Sequence, residues 1–211
     1  MGRLILIDND ALVKLARYGL LDETLVLFGC VPTDVRVLAT AKYSLLPVKN
    51  RLHRCKDEES AARLEAFLRT SEPLDAGLAD PDLLDALNAV QNIDAGEALL
   101  LAVGATVGNT LVITGDKRSL KALCTNDSVA QVSNALAGRV VSMEVLFLHL
   151  VEHQFAYVQE CVRSKPNVDT ALKIVFGVTA PAAFESVQEG LASYIRDLRT
   201  VTGTLLYIPS S

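Results

Sequence analysis

Apolar positions along the chain fall into two kinds of run. Residues 3–7 form a continuous aliphatic stretch that ends at Asp8, and residues 110–114 form a β-branched one that leads through Gly115 to Asp116. Short unbroken apolar runs of this kind predict strands buried on both faces, as in a parallel sheet. Residues 139–141 predict a last short strand. Elsewhere the apolar residues recur at helical spacing. Leu12, Leu15 and Ala16 share one face of a helix over 11–18, and residues 20–28 continue as a second short helix ending near Gly29. Pro32-Thr33-Asp34 reads as a helix start, with Thr33 or Asp34 capping a helix over 35–45.

Further helices are predicted over 57–69, 82–91, 94–108, 120–124 and 128–136, with 47–56 a loop or helix edge and a polar connection bracketed by Pro73 and Pro81. Residues 144–161, 168–176 and 184–198 read as three more helices, separated by Pro166 and Pro181. The pattern predicts an α/β region over 1–142, with a mainly parallel sheet, followed by a helical C-terminal extension over 143–211 packed on it.

Composition sharpens the picture. Half of the 211 residues are apolar and Trp is absent, so Leu, Val, Ala and Ile build the core, which favours helices on a buried sheet over a β-sandwich. No stretch reaches the roughly 18 unbroken apolar residues of a membrane span. The opening run is too short for the apolar region of a signal peptide. These points predict a cytoplasmic protein without a membrane partner. Cys30, Cys55, Cys124 and Cys161 are scattered, without ligand-like spacing, and read as reduced thiols. The formal charge of −5 argues against a protein that coats nucleic acid, yet allows an enzyme touching a few phosphates.

The chemistry lies at the strand ends. Two predicted strands deliver Asp8 and Asp116 to the edge of a parallel sheet where ligand sites form, and Glu97 opens the helix before the second strand. Converging carboxylates stay ionised together only around a cation, and hard oxygen ligands suit Mg²⁺ or Mn²⁺.

These residues resemble the PIN-domain nucleases. Ile7-Asp8-Asn9-Asp10-Ala11-Leu12 is similar to the family's opening strand-to-helix motif, Asp94-Ala95-Gly96-Glu97-Ala98 to the acidic helix start of one branch, and Val112-Ile113-Thr114-Gly115-Asp116 to the final strand. The likeness runs over about residues 3–125. It implies a three-layer α/β/α PIN-like domain and a metal-dependent ribonuclease that hydrolyses phosphodiester bonds. Asp8, Glu97 and Asp116 would be the catalytic metal ligands, supported by Asp10 and Thr114. It also implies a role as the toxin of a toxin–antitoxin pair, with RNA as substrate, an antitoxin or other protein as partner, and the C-terminal helices available for a homodimer. One position departs from the family: the helix after the second strand usually carries another acid, and residues 35–43 have none. Asp34 or Glu58 are the substitutes the sequence offers.

Each acid also has a structural reading. Asp8 and Asp116 can cap the helices that follow, and Asp94 and Glu97 stand at capping-box spacing. Lys117, Arg118 and Lys121 read equally as phosphate contacts or a solvated helix face, and Lys49, Arg51, Arg54 and Lys56 form a second basic group. His149, Glu152 and His153 are in the wrong order for a zinc-protease motif. Two rival readings remain: a catalytically degenerate PIN-like scaffold that binds RNA or a protein, and a haloacid-dehalogenase-type phosphatase built on Asp8 and Asp10.

Overall fold

The computed structural model describes residues 3–208, so Met1, Gly2 and residues 209–211 of the predicted regions lie outside it. Five parallel strands, β1 (Leu4–Ile7), β2 (Val35–Val37), β3 (Glu72–Pro73), β4 (Thr110–Thr114) and β5 (Val140–Ser142), form one sheet in the order β3-β2-β1-β4-β5. The chain is α/β, in an arrangement compatible with three α/β/α layers. Strand β1 sits at the centre, paired Ile5 to Val35 on one side and Ile5 to Leu111 on the other. From β1 the chain moves outward through β2 to β3, then returns to the far side of β1 for β4 and β5. The strand order therefore reverses between β1 and β4, the place where open α/β sheets leave a crevice at the carboxyl ends of their strands.

The twelve helices among the described residues follow from local signals. Helix α1 (Asn9–Tyr18) is capped by Asp8 and ends at Gly19 in the left-handed region. It is followed by α2 (Leu21–Phe28), then by α3 (Ala41–Leu45), α4 (Leu52–Cys55), α5 (Glu58–Thr70) and α6 (Pro81–Asn88). Next come α7 (Ala95–Thr106), α8 (Lys117–Thr125) and α9 (Ala130–Ala135), flanking β4 and leading to β5. The chain ends in α10 (Met143–Ser164), α11 (Thr170–Val175) and α12 (Phe184–Thr202).

Two expectations need correction. The helix predicted over 35–45 is instead strand β2 followed by the short α3, because Val35 and Val37 bury themselves beside β1 and the sheet's hydrogen bonds outweigh the helical spacing. The polar connection at Pro73 contains β3, an edge strand on which proline's missing N–H is tolerated.

Ile5, Leu6 and Ile7 are buried on both faces of the sheet, each contributing roughly 2 kcal/mol of burial. Helix α10 packs on α12, α2 and α1 and contains a non-helical residue, Gln154, that kinks it. Leu206, beyond α12, bridges Val140 at the sheet edge, so the C-terminal residues join the α/β core. No helix among the described residues is long and apolar enough to cross a membrane. All four cysteines are free thiols.

Candidate functional site

The β1–β4 seam builds the centre of a polar cavity of about 250 Å³. Register pairs Ile7 with Ile113, and the Asp8 amide donates to the Ile113 carbonyl at 3.0 Å, which fixes Asp8 level with the end of β4. Asp8 is only 5% exposed. Its Oδ1 accepts from the Ala11 amide at 2.6 Å, while Oδ2 accepts from the Thr114 hydroxyl and from the Gly115 amide at 2.9 Å. Thr114 in turn accepts from the Asp116 amide at 3.1 Å, so one buried hydroxyl links the two strand-end acids.

Glu97 arrives from the first turn of α7. That turn approaches β2 so closely that a Cβ at Gly96 would lie 2.7 Å from Leu38 Cδ1. Asp94 caps the helix and Glu97 completes the box, its Oε2 accepting from the Asp94 amide at 2.9 Å. Asp116 caps α8, with Oδ1 accepting from the Arg118 and Ser119 amides and Oδ2 from the Arg118 guanidinium at 3.2 Å. The capping and the pocket-lining readings of these acids thus hold together: Asp8, Asp10, Asp94, Glu97 and Asp116 all line the cavity.

Their charges are unevenly balanced. Burial raises the Asp8 carboxyl from 3.8 to about 6, against the pull of the Thr114, Ala11 and Gly115 hydrogen bonds. Burial also drives Glu97 from 4.5 to about 7, and the negative charges of Asp94, Asp116 and Asp8 push it the same way. Burial acts on Asp116 too, but hydrogen bonds from Arg118 and Ser119 outweigh it and hold that carboxyl low. Asp10 is paired with Lys14 at 2.9 Å, and Lys14 is held from the other side by Asp169 at 2.8 Å, just before α11. The C-terminal region therefore reaches the layer behind the site. Asp10 lies so close against Gly115 that a Cβ there would collide with its Oδ2.

Several expectations resolve on this geometry. Asp34 accepts from the Val31 amide at the N-terminal end of β2, the edge opposite the cavity, and Glu58 is absent from the cavity lining. Neither replaces the acid missing after β2; that wall instead carries Ser44 of α3 and Arg54 of α4. Lys117 is paired with buried Glu144 and lies 5.1 Å from the Tyr194 ring centroid. Arg118 is bound to Asp116, and Lys121 stands with it on a separate shallow surface. His149 and His153 meet edge to face within α10, their ring centroids 5.1 Å apart, and Glu152 lies 3.5 Å from His149.

Asn9, which the sequence presents only as part of the strand-to-helix motif, takes a place of its own in the site. Its Oδ1 is buried without a hydrogen-bond partner among the described residues while the residue lines the cavity, and its Nδ2 meets Ser44 Oγ at 3.5 Å. An orphaned oxygen beside crowded carboxylates is an acceptor waiting for a cation or a donor.

As placed, no group of three or more His, Cys, Asp or Glu side chains among the described residues could hold a metal ion. The donor chemistry nevertheless fits a hard divalent cation: all the donors are oxygens, and among the described residues Glu97 forms no ion pair and Asn9 Oδ1 is unsatisfied. An ion here would take Glu97 and Asp116 partly away from their capping bonds.

Comparison of the chain with family models, with curated proteins and with solved structures finds no match in any of the three.

Proposed function

We propose that this chain is a metal-dependent nuclease acting on RNA, the activity its resemblance to PIN-domain nucleases implies. The supporting observation is that Asp8, Glu97 and Asp116, from three different elements, line one cavity at the reversal point of a parallel sheet. Asp8, Glu97 and Asp116 would hold the ion, with Asn9 Oδ1 beside them. When bound, Mg²⁺ or Mn²⁺ supplies Lewis acidity for phosphodiester hydrolysis. The chain's own residues prepare the site. Thr114 and the Gly115 amide fix the Asp8 carboxylate so that it needs no reorganisation. Glu97 retains a proton up to near neutrality, so cation affinity should climb as pH rises through about 7.

The test is cleavage of a labelled single-stranded RNA with Mn²⁺, with EDTA, and by Asp8→Asn. Cleavage should require both the metal and Asp8. Activity retained by Asp8→Asn would sink the assignment.

A degenerate PIN-like scaffold is the second reading. It draws on the absence, among the described residues, of a ready three-ligand group and on the Ser44–Arg54 wall where the family's further acid is expected. Absence of cleavage together with absence of Mn²⁺ binding by calorimetry would favour it.

A further inference from the structure

Residues 35–56 hold six cationic side chains, Arg36, Lys42, Lys49, Arg51, Arg54 and Lys56, and no acid, although the whole chain carries −5. Two of the six are neutralised, Arg36 by Glu72 and Arg51 by Glu65, each at 2.7 Å. Lys42, Lys49, Arg54 and Lys56 form no ion pair among the described residues. The segment folds as α3, a turn at Pro47, and α4, packed on one another and on α5. It carries two large apolar side chains that are exposed among the described residues, Tyr43 at 74% and Val48 at 97%. Tyr43 adjoins Ser44, and Ser44 and Arg54 are themselves part of the cavity wall. A cationic surface with an exposed aromatic ring thus runs into a pocket that is otherwise lined by acids.

Polyanions are repelled by such a pocket unless a neighbouring surface holds their charge. Positive side chains that follow a backbone, combined with an aromatic face on which a base stacks, are the means by which proteins bind single strands without reading sequence. We propose that the α3–α4 rim is a platform for single-stranded nucleic acid. Tyr43 stacks a base, and Lys49 and Arg54 hold the phosphates that lead the strand into the acid cavity. This inference rests on reading that cavity as a phosphodiester site. A duplex, whose bases are already stacked on each other, offers Tyr43 no free face.

The experiment is fluorescence anisotropy with labelled 12-residue oligouridylate and oligothymidylate on the full chain in EDTA, at several salt concentrations. Tyr43→Ala should weaken both strands by about tenfold while Tyr43→Phe retains binding. Replacing Lys49 and Arg54 together by Ala should flatten the salt dependence by roughly 0.7 for each phosphate that is no longer neutralised. Lys121→Ala, on the separate surface beside α8, should leave binding unchanged. Comparing the two oligomers shows whether the sugar matters. The proposal is overturned if neither strand binds, if the Tyr43→Ala and Lys49/Arg54 variants bind as wild type does, or if a duplex of the same length binds as tightly. Because the readout needs neither metal nor cleavage, a chain that binds in this way but cuts nothing keeps the platform and loses the nuclease. One that cuts with Mn²⁺ and Asp8 but ignores Tyr43→Ala does the reverse.

Discussion

The β1–β4 seam and the α3–α4 rim meet at the same cavity, yet they are built on opposite principles. In the seam, Ile5 to Ile7 and Leu111 to Ile113 are buried, the register is fixed by paired backbone bonds, and both Asp8 oxygens have partners. The rim consists of two helices of five and four residues, with side chains that mostly face water and four cations that form no ion pair among the described residues. The strand-end acids are thus carried by the buried, hydrogen-bonded part of the fold. Residues suited to meeting a large, variable ligand are carried by the part that packing constrains least.

The largest effect should separate the two regions by stability alone. Leu6→Ala removes a side chain with no exposed surface from the central strand and should cost about 3 kcal/mol, seen as a lower denaturant midpoint at unchanged slope. Tyr43→Ala on the rim should change stability by less than about 0.5 kcal/mol. A comparable loss in both would mean that the rim is part of the cooperative core, and the contrast would fail.

A second difference lies in pH. Asp8 and Glu97 have folded pKa values of about 6 and about 7, above their ordinary 3.8 and 4.5, so the folded chain binds more protons than the unfolded one across those intervals. This contribution to stability should therefore be full below the ordinary values of 3.8 and 4.5 and be lost progressively as pH rises from there through about 6 and about 7. Buried Asp8 accounts for about 3 kcal/mol of the full decline, and half-buried Glu97 for less because solvent screens it. Thermal melting at pH 5 and pH 8 measures the slope, and Glu97→Gln should remove its share. Mn²⁺ should restore stability at pH 8 more than at pH 5. A melting temperature that rises from pH 5 to pH 8 would contradict the assigned charges of the seam.

The same contrast explains what could be read without a structure. The strand-end acids were legible because a buried strand and the carboxylate that terminates it are neighbours in sequence. Asp94 and Glu97 were legible for a similar reason, since a capping box is a three-residue pattern. Strand β2 was not: Val35-Arg36-Val37 is too short to carry a period, and only pairing with β1 makes it a strand. Ser44 and Arg54 enter the cavity because α3 and α4 fold back from β2, which no local pattern encodes. Lys14 could be read as a helix-face cation, but its bridge from Asp10 to Asp169 joins the first helix to the C-terminal region through tertiary packing. The partners of the basic group after Asp116 were hidden for the converse reason. Its residues look free in sequence, while Glu144 and Tyr194 from distant helices take Lys117.

The smallest effect tests where seam and rim differ most finely, in how a cation-bearing side chain relates to the acids. Arg54 stands in the cavity wall with no ion pair among the described residues, whereas Arg118 lies across Asp116 and holds its carboxyl low. If Arg118 merely occupies an oxygen that a divalent ion would use, Arg118→Ala should tighten Mn²⁺ binding by about threefold in calorimetry, the scale of an exposed ion pair. Arg54→Ala should leave Mn²⁺ affinity within about twofold, because it releases no acid. Weaker binding in Arg118→Ala would mean that the guanidinium orients Asp116 toward the ion rather than competing with it. Asp116 would then belong with Asp8, as an acid that the fold has set in place before any ligand arrives.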